Sequence, residues 1–211
     1  GFGVRILAAL CPAISDEEYS SRLAYLRKAM LSERVSAVWL DASASLTYYC
    51  GLQLGLSERI HGALVKADGR LIYVTPQFER PKLESLLRIP GEILVWEEDE
   101  DPFEGIDRNV SGRIALDPAA PFRFADRFQK LPGVSVQSAE NLVLGQRAVK
   151  SAAEIAIMQV AMDVSYRVHK AVHAGLQDGI SAREVCEFIS AAHRASGLDH
   201  VFAAAQFAEA T

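Results

Sequence analysis

Two histidines, His169 and His173, lie four residues apart in a segment whose apolar periodicity predicts a helix. This spacing places two imidazoles on one face of a helix, as in zinc sites of the HExxH type. No glutamate follows the first histidine, however, and His169 falls close to the apolar stripe of the predicted helix. We therefore expect His169 to be packed or at an interface, His173 to lie on the surface, and neither to bind a metal ion.

Other patterns that could support catalysis are weak. Cys11, Cys50 and Cys186 are widely spaced beside apolar runs without a CxxC pair, which favours reduced, buried thiols. The acidic run "EEDEDP", residues 97–102, predicts a solvated loop, because nothing spaces its carboxylates around a cavity. The sequence contains neither a G-x-S-x-G elbow nor a G-x-G-x-x-G loop, so a serine triad and a phosphate-binding loop are both unsupported.

The composition is that of a globular protein with a hydrophobic core. Of 211 residues, 50% are hydrophobic and 23% are charged. The net charge is −5, and the basic residues Arg22, Arg27 and Lys28 lie among acidic ones. The sequence therefore shows no basic cluster of the kind that binds nucleic acid. No apolar run approaches the roughly 18 residues of a membrane span. These properties argue against nucleic-acid and membrane partners and name no other partner.

The first part of the chain alternates strands and helices. A helix is predicted from Ser15 to Glu33, with Ser15 and Glu18 as a capping box. The segment "GALVKADGRLIYV", residues 62–74, predicts a hairpin that turns at Asp68 and Gly69. Further strands are predicted at residues 35–40, 92–96, 113–116 and 134–137, and further helices at residues 79–88 and 122–129. This alternation predicts an α/β fold with a mixed sheet covered by helices.

The pattern changes in the second part, where two helices follow each other without a strand. They are predicted at residues 151–174 and 181–196, each with a capping box at its start. The residues expected to face inward are Ile155, Met158, Met162, Ser165, Val168 and Val172 on the first helix, and Val185, Phe188, Ile189 and Ala192 on the second. An apolar strand is expected over residues 199–206. We place the domain boundary between residues 145 and 146.

Four motifs carry a resemblance to a known family. They are "YYCG" at residues 48–51, "RAVKSAAEI" at 147–155, "GISAREV" at 179–185 and "QFAEAT" at 206–211. In this order they resemble motifs of the pita-bread metallopeptidases, which include Xaa-Pro dipeptidases (prolidases), aminopeptidase P and creatinase. Cys50, the doubled tyrosine and Ala208, which stands where the family commonly has glycine, depart from the pattern.

The resemblance implies a creatinase/prolidase-like N-terminal domain, residues 1–145, followed by the first helices and strand of an α+β pita-bread catalytic domain, residues 146–211. It implies that the complete protein hydrolyses the peptide bond preceding proline in a dipeptide or short peptide. Two divalent metal ions, manganese, cobalt or zinc, would serve that hydrolysis, and the protein would be a cytoplasmic homodimer. The family's metal ligands follow the position that corresponds to Thr211. We therefore expect this chain to bind no metal and to be inactive alone.

The resemblance also implies a role for Arg59. Creatinase has an arginine at the corresponding place that reaches into the partner subunit's active site and holds the substrate carboxylate. His61 and Tyr48 are neighbours of the same loop and are further candidates for substrate binding. The alternative is that Arg59 pairs with Glu58 or another surface acid. Creatinase-like hydrolysis without metal, and a non-catalytic protein that binds peptides or proteins, remain open as alternative functions.

Overall fold

A computed structural model describes residues 12–198 and 203–207 of the chain. These residues belong to two compact units, one formed by Ser15–Val149 and one that contains the residues from Lys150 onward. The predictions for Cys11 and Ala208 fall outside the described residues.

The first unit contains six strands and six α-helices. In chain order they are α1 Asp16–Ser32, β1 Ala37–Asp41, α2 Ala44–Cys50, β2 Gly62–Lys66, β3 Leu71–Pro76, a 3-10 turn Gln77–Glu79, α3 Arg80–Leu86, β4 Glu92–Trp96, α4 Pro102–Asp107, β5 Gly112–Leu116, α5 Phe122–Gln129, β6 Val134–Ser138 and α6 Glu140–Ala148.

The strands form one mixed sheet in the order β4-β3-β2-β1-β5-β6. Only β2 runs opposite to its neighbours, since β2 pairs antiparallel with β1 and β3 while the other pairs are parallel. The β2–β3 hairpin turns at Asp68 and Gly69, as predicted, and Gly69 has a φ of 102°. The predicted mixed α/β sheet is confirmed.

Helices cover both faces of the sheet, which explains why β1, β2 and β3 are buried along their whole length. On one face, Phe103 and Ile106 of α4 and Phe124 and Phe128 of α5 pack with Trp39 and other strand residues in a single core. On the other face, α1 packs against β2, α2 and α6. The apolar residues that α1 buries are Tyr19, Leu23, Leu26 and Met30.

Local capping follows the sequence in most places. The Oγ of Ser15 accepts the backbone N–H of Glu18 at 3.1 Å, so the Ser15 half of the predicted capping box of α1 forms. The Glu18 carboxylate forms an ion pair with Arg22 at 2.5 Å. Gly51 ends α2 with a φ of 64°, and a Cβ at this position would lie 2.9 Å from the Tyr19 ring. The "YYCG" motif is therefore a helix end that requires glycine.

The second unit contains α7 Ala152–Gly175 and α8 Ala182–Ala195. Both predicted capping boxes are present, at Ser151 with Glu154 and at Ser181 with Glu184. The buried residues that join the two helices are Val164, Val168, Val185 and Ile189. Within the described residues, no helix is both long enough and apolar enough to cross a membrane.

Two predictions for the second unit are wrong. Ile155, Met158, Met162 and Phe188 were expected to face inward but are 48–64% exposed, because α8 packs against α7 through Val164 and Val168 instead. His169, expected to be packed or at an interface, is exposed and therefore not packed within this chain, so that its place at an interface stays a prediction; His173 is exposed as predicted. Residues 203–206, the described part of the expected strand 199–206, have no regular structure, because the described residues of this unit provide no strand with which they could pair.

Candidate functional site

The sequence candidates Arg59 and His61 lie at one edge of the sheet. Because β2 runs opposite to the other strands, its N-terminal end lies beside the C-terminal ends of β3 and β4. Gly62 pairs with Val74, and Pro76 pairs with Trp96. Residues just before β2 therefore adjoin those just after β3 and β4. In α/β sheets this edge is where ligands bind most often.

An open cleft of about 600 Å³ lies at this edge. The residues that line it are Arg59, Gln77, Phe78, Trp96, Glu97, Glu98 and Asp99. The acidic run that was expected to be a solvated loop thus begins with three residues that form one wall of a cleft. The lining of the cleft also includes a guanidinium and two aromatic rings.

Arg59 is held by two contacts within this cleft. Its Nη2 donates to Oε1 of Glu98 at 2.5 Å, and its Cζ lies 5.2 Å from the centre of the Phe78 ring. The side chains of Arg59 and Glu98 are 47% and 65% exposed. Arg59 therefore pairs with a surface acid, and such an exposed pair contributes little stability and can exchange with a ligand.

His61 is buried behind the cleft and stabilises the loop that carries Arg59. Its Nε2 lies 2.9 Å from the carbonyl oxygen of Gly55, so this nitrogen carries the proton and donates it. Its Nδ1 lies 3.8 Å from Oε2 of Glu79 and has no hydrogen-bond partner among the described residues. The buried Oε1 of Gln77 likewise lacks a partner there. Two polar atoms close to the cleft thus retain unused hydrogen-bonding capacity.

Tyr48 lies in a different environment from Arg59 and His61. The guanidinium of Arg22 lies 4.0 Å from the centre of the Tyr48 ring, and Nη1 of Arg22 donates to the Tyr48 carbonyl oxygen at 2.8 Å. The Tyr48 hydroxyl donates to the carbonyl oxygen of Gln146 at 3.4 Å. These contacts join α1, α2 and α6, and Tyr48 is not among the described residues that line the cleft.

Two buried carboxylates, Asp41 and Asp117, lie further along the same sheet edge. Asp41 accepts hydrogen bonds from Nε1 of Trp39 and from the backbone N–H of Ala42, both at 2.9 Å. Asp117 accepts from the Ser43 hydroxyl at 2.5 Å. Burial raises the pKa of Asp41, and the charge of Asp117 adds to this effect. Both carboxylates serve internal hydrogen bonds that fix the ends of β1 and β5.

The described residues do not fit a metal centre. No three of their His, Cys, Asp or Glu side chains are grouped in a way that could hold a metal ion. The carboxylates of Asp41 and Asp117 are engaged by Trp39, Ala42 and Ser43, as described above. We therefore assign no metal ligand within this part of the chain.

Sequence reasoning identified Arg59 but missed Glu98, Phe78 and Trp96. These residues are 19 or more positions away in the chain, and only the strand register brings them to Arg59. One signal could have revealed Glu98. The acidic run directly follows a predicted strand, and the C-terminal ends of parallel strands collect at one edge.

A known protein family and several known proteins are similar in sequence to this chain. A family model described as the creatinase/prolidase N-terminal domain matches residues 22–149. An uncharacterized peptidase of Schizosaccharomyces pombe is 24% identical, covering 84% of this chain and 43% of that protein. An uncharacterized peptidase of Staphylococcus aureus strain MW2 is 22% identical, covering 81% of this chain and 48% of that protein. The chain spans about half the length of the curated relatives it matches.

Solved structures share the fold at low sequence identity. The dipeptidase PepE from Mycobacterium ulcerans superposes with a TM-score of 0.77 at 22% identity, covering 88% of this chain and 51% of that chain. A prolidase from Thermococcus sibiricus superposes with a TM-score of 0.76 at 18% identity, covering 87% of this chain and 50% of that chain. Since the N-terminal domain model covers more than half of the residues, the chain belongs to the creatinase/prolidase N-terminal domain family.

Proposed function

We propose that this chain is part of an Xaa-Pro peptidase of the dipeptidase or aminopeptidase P type. The observation that carries the proposal is the extent of the structural match. The likeness to the dipeptidase and the prolidase covers 88% and 87% of the chain, well beyond the N-terminal domain of residues 22–149. In this proposal α7 and α8 begin the catalytic domain, and the complete protein hydrolyses the bond preceding proline in a dipeptide or short peptide.

The proposed hydrolysis uses two divalent metal ions, manganese, cobalt or zinc, which would activate water and polarise the scissile carbonyl. The described residues of this chain offer no ligand set for such ions, so we derive no catalytic step from them. The 211-residue chain is accordingly expected to be inactive alone. We propose that the residues of this chain contribute to substrate binding instead.

Arg59 is the residue of this chain that we propose to bind substrate. A guanidinium presents a planar fork of donors that matches the two oxygens of a carboxylate. In the proposed homodimer, Arg59 would hold the C-terminal carboxylate of a dipeptide, which would favour short substrates. Phe78 supports this role, because its ring lies against the guanidinium and limits its orientations. His61 supports it by fixing Gly55 in the preceding loop.

The complete protein tests the proposed reaction. We expect it to hydrolyse alanyl-proline in the presence of Mn²⁺, Co²⁺ or Zn²⁺, to lose activity with a chelator, and to leave alanyl-alanine largely uncleaved. Mass measurement in solution should show a dimer. Creatine hydrolysis that survives the chelator, or peptide binding without hydrolysis, would contradict the proposal and favour one of the two alternative functions.

The Arg59→Ala variant of the complete protein tests the carboxylate contact. We expect kcat/KM for alanyl-proline to fall about tenfold or more, mainly through KM, since one charge-assisted contact is lost. Alanyl-proline amide, which lacks the carboxylate, should be unaffected by the substitution. Arg70→Ala is the matched control, because Arg70 is 45% exposed and pairs with Asp68 at the other end of the β2–β3 hairpin. Unchanged kcat/KM in Arg59→Ala would disprove the role of Arg59.

A further inference from the structure

Each ring nitrogen of His61 faces an acceptor on a different segment of the chain. Its Nε2 lies 2.9 Å from the carbonyl oxygen of Gly55, in the loop that carries Arg59. Its Nδ1 lies 3.8 Å from Oε2 of Glu79, the last residue of the 3-10 turn that follows β3. The His61 side chain is only 5% exposed, so water has little access to either nitrogen.

A neutral imidazole carries one N–H group and cannot donate to both acceptors. With the proton on Nε2, His61 donates to Gly55, and its Nδ1 is then an acceptor without a hydrogen-bond partner among the described residues. With the proton on Nδ1, the ring would face Glu79 and lose its bond to Gly55. A buried polar atom without a partner is unfavourable, so neither neutral form satisfies the site.

A second proton removes this conflict. The imidazolium ring carries an N–H group on each nitrogen, so Gly55 and Glu79 can accept at the same time. A rotation of the Glu79 side chain is enough to bring its carboxylate to hydrogen-bonding distance of Nδ1. Protonation of His61 thus converts an unpartnered acceptor into a donor that faces a carboxylate, which is the stronger kind of hydrogen bond.

Two carboxylates supply negative charge for a protonated ring. Glu79 faces Nδ1 from the 3-10 turn, and Asp41 interacts electrostatically with His61 from the end of β1. On the loop before His61, the Arg59 guanidinium is already paired with Glu98. Histidine is the side chain whose charge ordinarily changes between about pH 5 and pH 8.

We propose that His61 is a pH-sensitive latch between the loop of residues 55–60 and the 3-10 turn Gln77–Glu79. As the pH falls through the range in which histidine takes up a proton, the imidazolium joins Gly55 to Glu79 and fixes the loop against the turn. As the pH rises, the neutral ring releases one of the two segments. The latch is a conformational device of the first unit and does not depend on the proposed hydrolysis.

The latch acts on the segment that carries Arg59. The Cζ of Arg59 lies 5.2 Å from the centre of the ring of Phe78, which belongs to the same 3-10 turn as Glu79. The backbone N–H of Arg59 donates to the Ser57 hydroxyl at 3.0 Å within the loop. Fixing the loop against the turn therefore fixes Arg59 against Phe78.

NMR of the 211-residue chain measures the charge of His61 directly. In isotope-labelled protein, the two ring nitrogens differ in chemical shift when the ring is neutral and become similar when both are protonated. We expect the His61 ring to make this change between about pH 8 and pH 5. The backbone order parameters of residues 56–60 should rise over the same range toward the roughly 0.85 of rigid backbone. A ring with one protonation state throughout, or order parameters that do not follow it, would overturn the latch.

Glu79→Gln tests the partner of the ring, because it removes the negative charge and keeps the size of the side chain. The midpoint of the His61 titration should move to lower pH by about one unit, and the order parameters of residues 56–60 should rise only at that lower pH. Glu187→Gln is the matched control, since Glu187 forms an exposed ion pair with Arg183 on α8. An identical midpoint in Glu79→Gln and the unaltered chain would show that Glu79 is not the partner, and the latch would be wrong.

The consequence for substrate rests on the carboxylate-binding role proposed above for Arg59. In the complete protein, the ratio of kcat/KM for alanyl-proline to that for alanyl-proline amide isolates the carboxylate contact. This ratio should increase as the pH falls through the His61 titration, and in Glu79→Gln the increase should move to lower pH. A ratio that stays constant while His61 titrates would show that the latch does not reach Arg59.

The outcome can be separated from that of the proposed hydrolysis. The NMR measurements need no turnover, so a complete protein without Xaa-Pro activity leaves the latch standing. Conversely, a His61 ring that does not titrate leaves the proposed Xaa-Pro activity untouched.

Discussion

Asp41 is a buried carboxyl group in an environment that disfavours its charge. Burial raises its pKa and the neighbouring Asp117 raises it further, while the hydrogen bonds from Trp39 and Ala42 act in the opposite direction. The net direction is upward from the ordinary value of 3.8. The folded state therefore binds the Asp41 proton more tightly than the unfolded state does.

This shift predicts how Asp41 changes stability with pH. The contribution of Asp41 is most favourable below the unfolded pKa, near 3.8, and is lost as the pH rises through the higher folded pKa. In Asp41→Asn this loss should disappear, so the variant should lose less stability than the unaltered chain as the pH rises above 3.8. Urea unfolding at several pH values measures it, with Asp126→Asn as an exposed control on α5. An unchanged pH profile would show that Asp41 does not titrate abnormally.

Single residues differ in how far the sequence alone could assign them. Arg59 could be found because the resemblance to creatinase implies a carboxylate-binding arginine just before this hairpin. Glu98 and Phe78 could not be found as its partners, because their contact depends on the pairing of β2 with β3 and of β3 with β4. His169 is not packed within this chain, because helical periodicity gives the direction of a side chain but not which helix covers it.

The pairing of β1 with β2 depends on a close approach of two backbones at Gly62. A Cβ at this position would lie 2.2 Å from the carbonyl oxygen of Leu40 and 2.9 Å from the Trp39 ring. Backbone cannot move away as a flexible side chain can, so the two strands would have to separate at the edge where Arg59 and His61 lie.

Gly62→Ala is accordingly expected to destabilise the first unit by about 2–3 kcal/mol, at the upper end for overpacked cores. Gly145→Ala is the matched control. It lies in α6 with open space around the added methyl group, and there alanine should stabilise the helix by about 0.5–1 kcal/mol. Denaturant unfolding of both variants gives the comparison. A Gly62→Ala variant as stable as the unaltered chain would show that the strands can adjust without loss.

Helices and strands with a clear hydrophobic periodicity or a capping box could be predicted from the sequence. Short helices that are stabilised mainly by packing against the rest of the fold could not. Strand β4 and helix α5 have their predicted bounds, and α7 and α8 begin at their predicted capping boxes. Three short helices were missed. They are α2, α4 and α6, with seven, six and nine residues. Isolated helices of this length are unstable, so their formation depends on tertiary packing in addition to local caps such as Ser43 of α2 and Asp101 of α4.

At the scale of the whole molecule, the two units differ in the size of their cores. One core of the first unit alone contains 13 buried residues, drawn mainly from four strands and two helices and including Trp39, Phe103 and Phe128. Among the described residues of the second unit, the core contains four buried residues, Val164, Val168, Val185 and Ile189. Since stability grows with buried apolar area, the described part of the second unit has much less buried apolar area to stabilise it.

We therefore expect the two units to open at different free energies. In native-state hydrogen exchange, amides of β1, β2 and β5 should be the best protected, while amides of α7 and α8 should exchange through smaller openings. Val168→Ala, a core deletion in α7, should lower the protection of α7 and α8 and leave that of β1 unchanged. Leu26→Ala, a core deletion in α1, is the reciprocal variant and should lower protection in the first unit by about 2–5 kcal/mol. Equal protection in all these elements, or equal effects of the two substitutions on both units, would mean that the chain unfolds as one cooperative body.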